Sequence, residues 1–242
     1  MTYAVGLKLD AGLVFMSDTR TNSGVDNIAS YRKQFTWSVE GERAIVLLTA
    51  GNLGTSQAVV SLLDERSKAP EDRKPSILEA PTMFQVATLV GQTLREVIAH
   101  NAESGQQAET FNSTLIVGGQ IAGMEPRLFL IYPEGNFIEA SEETPFLQIG
   151  ETKYGKPILV RALNHAMSFD EAVKLLLVSF DSTLKSNLSV GLPLDLQLYS
   201  AGSFSLGTSR RFETDDPYYK SISNGWGDAL KQAFASLPDL DL

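Results

Sequence analysis

The chain has 242 residues, 43% of them apolar, with a formal net charge of −9, two histidines and no cysteine. That length can bury a sizeable core, and the absence of cysteine excludes disulfides, thiolate metal sites and a cysteine nucleophile. Net negative charge, with no stretch concentrating Lys and Arg among aromatics, argues against nucleic-acid binding; no apolar run reaches the roughly 18 to 20 residues of a membrane span, and no signal peptide opens the chain, so a cytoplasmic location is expected.

The first fifty residues read as strands joined by tight turns: residues 3–9, the turn Asp10-Ala11-Gly12, residues 13–17, then 33–39 and 43–50 around Glu40-Gly41-Glu42. After Thr49-Ala50-Gly51-Asn52 the apolar spacing becomes helical through Val59, Val60, Leu62 and Leu63. A second helix follows Pro81 over 83–103 and carries His100. The charged, proline-containing stretch 67–75 between them reads as an exposed connection. Strands return over 112–119, 127–133, 137–140 and 146–150, with Glu134-Gly135-Asn136 as a hairpin turn. A helix over 156–167 carries His165, and the capping box Ser168-Phe169-Asp170-Glu171 opens another, lined by Ala172, Leu175, Leu176 and Phe180. A strand over 194–200, a polar segment around Thr214-Asp215-Asp216-Pro217 and a short helix over 228–235 complete the chain.

Strands, two helices, strands, two helices is an order that buries both sheet faces when two sheets stack and helices cover the outside. The predicted fold is α+β, a four-layer αββα sandwich, in one domain over residues 1–242 with a C-terminal extension from about 207. A doubly wound parallel sheet needs strands alternating singly with helices, and the early hairpins argue against it.

A hairpin turning at Asp10 to Gly12 pairs positions summing to about twenty-two, which sets Thr2 opposite Arg20 with Asp18 a diagonal step away. An aspartate ending the apolar run Leu13-Val14-Phe15-Met16-Ser17 is costly to bury without a cation. Lys33, opening the next strand, is the nearest candidate. On their own, Asp18 and Lys33 read more readily as a loop aspartate and an exposed lysine; Thr2 changes that balance. A threonine directly after the initiator is small enough for Met1 to be excised, leaving a hydroxyl and a free α-amine on one residue. That amine, with an ordinary pKa of about 7.7 to 8.0, can accept the hydroxyl proton. A Lys33 ammonium would lower it further and stabilise the alkoxide, with Asp18 holding the lysine. The Gly51 N–H, between a strand and a helix start, suits a tetrahedral oxyanion. Neither histidine falls in a metal-ligand spacing and no Gly-x-Ser-x-Gly elbow occurs, so metal hydrolysis and Ser-His-Asp catalysis are poorly supported, and neither metal nor cofactor is expected.

At Thr2-Tyr3-Ala4-Val5-Gly6, Ser17-Asp18-Thr19-Arg20-Thr21-Asn22, Tyr31-Arg32-Lys33 and Thr49-Ala50-Gly51-Asn52 the sequence resembles the proteasome β-subunit family. Thr214-Asp215-Asp216-Pro217-Tyr218-Tyr219 is similar to the bacterial ancestral β-subunit type called Anbu. The resemblance spans essentially the whole chain. It implies an N-terminal threonine peptidase of the Ntn-hydrolase class, with Thr21, Tyr31, Thr49 and Leu53 lining the substrate pocket. It also implies homo-oligomers, as hexameric rings, stacked dodecamers or open spirals, acting on peptide or protein substrates; an unfoldase or accessory partner is not identified by it. With no propeptide before Thr2, activation is expected to depend on Met1 excision. Two departures stand out. In Ile149-Gly150-Glu151-Thr152, Glu151 takes the place of a proton-relaying serine, and Ser186 and Ser189 align with a supporting aspartate and serine. Altered or weakened peptidase activity follows as an expectation, beside two other readings: a non-catalytic self-assembling scaffold, and an amidase of a small amide or isopeptide bond.

Overall fold

The computed structural model describes residues 2–22, 28–68, 75–102 and 107–240. In chain order the strands are β1 (Tyr3–Leu9), β2 (Gly12–Asp18), β3 (Arg20–Asn22), β4 (Ile28–Ser30), β5 (Gln34–Val39), β6 (Arg43–Gly51), β7 (Ser113–Ile121), β8 (Arg127–Ile131), β9 (Phe137–Glu139), β10 (Phe146–Gly150), β11 (Leu194–Ser200) and β12 (Ser209–Phe212). The α-helices are α1 (Leu53–Lys68), α2 (Met83–Ala102), α3 (Lys156–Ala162), α4 (Phe169–Ser186) and α5 (Pro217–Ala235).

Two antiparallel five-stranded sheets stack, in the orders β10-β1-β2-β11-β12 and β5-β6-β7-β8-β9, beside a small β3-β4 ribbon. Side-chain alternation divides each strand between two cores. Tyr3, Val5 and Leu7 of β1 and Val14 and Met16 of β2 pack under α4 with Leu176 and Phe180. Their neighbours Ala4, Leu13 and Phe15 face the other sheet and meet Val46, Leu48, Ile116 and Leu128. Beyond that sheet, Ile45, Leu47 and Val117 pack against Val59 and Leu63 of α1 and Val86, Val90 and Leu94 of α2. Helices, sheet, sheet, helices is the αββα sandwich expected from the element order. Caps fix the helix starts where the sequence signals them. Ser168 N–H donates to Glu171 Oε2 at 2.9 Å and Glu171 N–H donates back to Ser168 Oγ at 3.3 Å; Asn52 Oδ1 accepts the Thr55 N–H at 3.0 Å and caps α1.

Several expectations need correction. The first hairpin pairs Leu9 with Gly12 and Ala4 with Ser17, so paired positions sum to twenty-one and the turn is the two residues Asp10-Ala11. Gly12 is not the turn's tip but the place where β11 crosses: a Cβ there would lie 2.0 Å from the Tyr199 carbonyl oxygen. Extending this register sets Thr2 across from Thr19, not Arg20, and Tyr3 across from Asp18. The helix expected over 156–167 stops at Ala162; His165 follows it, its carbonyl accepting the Asp10 N–H at 2.9 Å, with Nδ1 3.0 Å from the Asp10 carboxylate. The C-terminal helix begins at Pro217, not 228, because Asp216 caps it through Tyr219 N–H at 2.9 Å. The short elements β3, β4 and β12 were not expected. Of the connection over 67–75, residues 69–74 lie outside the described residues, as do Met1 and the last position, 103, of the expected second helix. No helix among the described residues is long and apolar enough to cross a membrane.

Candidate active site

The end of β2 delivers Asp18 into the interior, with no exposed surface. Its Oδ1 accepts Lys33 Nζ at 2.7 Å and the Tyr3 N–H at 3.1 Å, while Oδ2 accepts the Gly191 N–H at 3.3 Å. Lys33 stands just before β5, fixed to the second sheet through its carbonyl, which accepts Thr49 N–H at 2.9 Å. Its ammonium also donates to the Arg20 carbonyl at 2.5 Å. Burial pushes the Asp18 carboxyl up and the Lys33 ammonium down, and each partner's charge opposes the other's shift. Arg20 adds to the lowering of Lys33.

Thr2 is buried next to this pair, at 6% exposure. The peptide group linking it to Tyr3 is held from both sides: its N–H by Asp18, its carbonyl by the Glu151 N–H at 2.6 Å. Gly150 allows that approach, because at its φ of 82° a Cβ would lie 2.0 Å from the Thr2 oxygen. Alternation gives Thr2 the face of Ala4, toward the second sheet from which Lys33 comes. Tyr3 points the other way and anchors the strand, its hydroxyl bonded to Ser179 at 2.8 Å and Gln148 at 2.6 Å and its ring 4.4 Å from that of Phe180. Burial pushes the Tyr3 phenol up to about 12.

Gly51 lies at the lip of this arrangement. Along β6 the amides alternate between neighbours: Thr49 N–H donates to Lys33 on the β5 side, and Asn52 N–H to Asn112 on the β7 side, at 2.9 Å. Gly51 N–H therefore faces the β5 side, and β5 starts at Gln34, opposite Leu48, so the ladder has ended there. The residue is exposed and holds φ 113°, with Asn52 and the start of α1 immediately after it.

The remaining expected residues divide. Segments 19–21, 31–33 and 49–53 lie side by side, through Tyr31 N–H to Thr19 carbonyl at 2.8 Å and the Lys33 bonds to Arg20 and Thr49. Thr21 is half-buried in β3, Tyr31 exposed, Thr49 buried and Leu53 half-buried at the start of α1. Glu151 is buried, its Oε1 accepting Lys153 N–H at 3.1 Å and its Oε2 Asn187 Nδ2 at 2.9 Å. Ser186 is exposed and its hydroxyl turns back onto the Ser182 carbonyl at 2.8 Å. Ser189 is half-buried and gives its N–H to Asn187 Oδ1 at 2.9 Å. Asn187 and Gly191 escaped the sequence reading. Gly191 had a signal, lying in a Val-Gly-Leu-Pro run; a Cβ there would sit 2.1 Å from the Arg20 guanidinium carbon. His100 is exposed on α2, and the Asp10–His165 contact lies at the opposite end of β1 from Thr2.

Comparison with known proteins follows this geometry. The sequence model of the family described as Proteasome subunit matches residues 2–191. A Gly-1 mutant of Anbu from Hyphomicrobium sp. strain MC1 is 50% identical with a TM-score of 0.92, covering all of both chains. Anbu (ancestral beta-subunit) from Yersinia bercovieri is 48% identical with a TM-score of 0.93, covering 99% of this chain and 100% of that one. A helical assembly of the Anbu complex from Pseudomonas aeruginosa is 45% identical with a TM-score of 0.91, covering 99% and 98%. A search of curated proteins returned no significant match. Matched over most of its length by the family model and end to end by these structures, the chain belongs to the proteasome subunit family, among its Anbu-type ancestral β-subunits.

Proposed function

We propose that this chain, once processed to begin at Thr2, is an N-terminal threonine hydrolase that cleaves peptide or amide bonds through an acyl-enzyme. The Thr2 hydroxyl attacks the scissile carbonyl as its proton passes to the neutral α-amine, directly or through water. The Lys33 ammonium, held by Asp18, lowers the amine's proton affinity and offsets the charge developing on oxygen. The Gly51 N–H donates to the tetrahedral oxyanion. Collapse breaks the C–N bond, the leaving amine takes the proton from the ammonium, and an ester on Thr2 remains. Water then attacks that ester, the amine acting as base, and regenerates the hydroxyl with release of the acid. Thr21, Tyr31, Thr49 and Leu53 would receive the substrate side chain.

The observation that carries this reading is the buried Lys33–Asp18 pair, 2.7 Å apart, with the Tyr3 N–H on the same carboxylate oxygen. An uncompensated ammonium would not persist there, and the pair adjoins a residue able to supply both nucleophile and base. Intact-mass measurement for Met1 removal, followed by incubation with a peptide epoxyketone or a β-lactone, tests it. One covalent adduct on Thr2, absent from Thr2→Ala, is the expected result; a mature terminus that never reacts would favour the second reading. That reading, a self-assembling scaffold without hydrolysis, draws on Glu151 and on Ser186, whose hydroxyl is bonded to the Ser182 carbonyl.

We also infer that copies of the chain assemble with one another. The helical assembly of the 45% identical Pseudomonas aeruginosa Anbu supports this. So does α5, where Leu230 and Phe234 are 49% and 78% exposed at helical spacing, with Leu237 just beyond its end 64% exposed.

A further inference from the structure

One short loop reaches both sides of the Thr2–Tyr3 peptide group. On the carbonyl side it acts through Glu151, whose N–H donates to Thr2 O at 2.6 Å and whose Oε2 accepts Asn187 Nδ2 at 2.9 Å. On the N–H side it acts through Asp18, which accepts Tyr3 N–H on one oxygen and Gly191 N–H on the other. Asn187 and Gly191 are the first and last residues of the 187–191 segment. The loop is itself braced. Asn187 ends α4 with its N–H on the Thr183 carbonyl at 2.9 Å, its carbonyl accepts Val190 N–H at 3.2 Å, and its Oδ1 accepts Ser189 N–H at 2.9 Å. Arg20 donates to the Leu188 carbonyl at 3.0 Å.

The chemistry of position 187 is demanding. Its side chain must accept one N–H and donate another to a carboxylate in the same pose, which an amide does and neither a carboxylate nor an aliphatic side chain can do. A carboxyl group there would face Glu151 with like charge. Glu151 in turn has its second oxygen tied to Lys153 N–H, so its side chain cannot swing away without losing that bond.

We propose that Asn187 is a positioning residue: through Glu151 it sets where the Thr2 carbonyl sits, and so where the nucleophile stands relative to Lys33 and the Gly51 amide. This rests on the reading of Thr2 as nucleophile given above. Reacting atoms must approach within about 3 to 3.5 Å, and a displacement of about 1 Å can cost on the order of a hundredfold in rate. Asn187 acts on the nucleophile and not on the segments that would receive substrate, so turnover should suffer while KM stays within about twofold.

The test uses the full-length chain as wild type, Asn187→Ala, Asn187→Asp, and Asn187→Asp with Glu151→Gln. The double variant rebuilds the amide–carboxylate contact with donor and acceptor exchanged. Two rates are measured: peptide hydrolysis, resolved into kcat and KM, and acylation of Thr2 by a β-lactone, followed by intact mass. Both single variants should lose about thirty- to a hundredfold in kcat and in acylation rate, and the double variant should return to within about threefold of wild type. Single variants with wild-type kcat, or losses that the double variant does not repair, would overturn the positioning role while leaving Thr2 as nucleophile. A wild-type chain that starts at Thr2 and is never acylated would overturn the nucleophile assignment, and the role of Asn187 with it.

Discussion

Replacing Lys33 by Met isolates the interaction at the centre of the site. The variant leaves Asp18 with no exposed surface and no cation, while Tyr3 and Gly191 still donate to it. Two unit charges 2.7 Å apart attract by roughly 6 kcal/mol at an effective dielectric of about 20. Part of that is offset by desolvation, and removing one partner of a buried pair costs roughly 3 to 5 kcal/mol net. For a chain of this length that is a fall in Tm of about 6 to 20 °C. Adding Asp18→Asn removes the stranded charge and keeps an acceptor for Tyr3 N–H, so the double variant should recover about half of the loss. The pH dependence has a definite sign. Burial already raises the Asp18 carboxyl, and without Lys33 the main opposing influence is gone. A carboxyl raised in the folded state contributes stability that is full below its ordinary range and is lost as pH rises through the raised value. As pH rises above the ordinary carboxylate range, the Tm of Lys33→Met should therefore fall more steeply than that of wild type or the double variant. Thermal unfolding by circular dichroism across that range measures both effects. A single variant as stable as the double, with a flat profile, would refute the claim that Lys33 compensates a buried carboxylate.

Three further outcomes follow from other parts of the molecule. Gly150→Ala must place a Cβ 2.0 Å from the Thr2 oxygen at φ 82°, so it should cost more than about 2 kcal/mol in denaturant unfolding and abolish β-lactone labelling; a wild-type labelling rate would contradict the geometry. The Tyr3 phenol, pushed up to about 12 from 10.0 by burial, contributes stability that is full below pH 10 and is lost as pH rises toward 12, about 3 kcal/mol in all. Tyr3→Phe, which loses the bonds to Ser179 and Gln148, should be less stable than wild type at neutral pH, and the two stability curves should converge in alkali; parallel curves would exclude the linkage. Leu230→Asp with Phe234→Asp changes two side chains exposed in the protomer, so helix content should hold while sedimentation velocity reports smaller species; unchanged assembly would remove α5 from the contact.

The layers were legible because alternation and helical spacing are strong in long, half-buried elements such as β1, β2, β6 and α4. The register of the first hairpin was less so. Gly12 looks like a turn residue, and its other use, admitting the β11 backbone, depends on a strand nearly two hundred positions away. α5 hid for a similar reason: Gly225 and Gly227 interrupt the pattern, whereas its start is secured by Asp216, Pro217 and Tyr219 docking on Asp181 at 3.2 Å. Within the candidate site, the nearness of Asp18 and Lys33 to the start of β1 was legible from the first hairpin, once the chemistry open to Thr2 drew attention to them. Asn187 was not, since an asparagine ending a helix reads as an ordinary stop, and only the fold brings it to Glu151.

The last turns of α5 and the residues after it, 228–240, are exposed throughout. An isolated helix of that length is marginal in water. On the proposed self-assembly, order at the C-terminus is governed by mass action: dilution should fray it, and encounter with a matching surface should restore it, coupling the shape of each protomer's tail to the concentration of its neighbours.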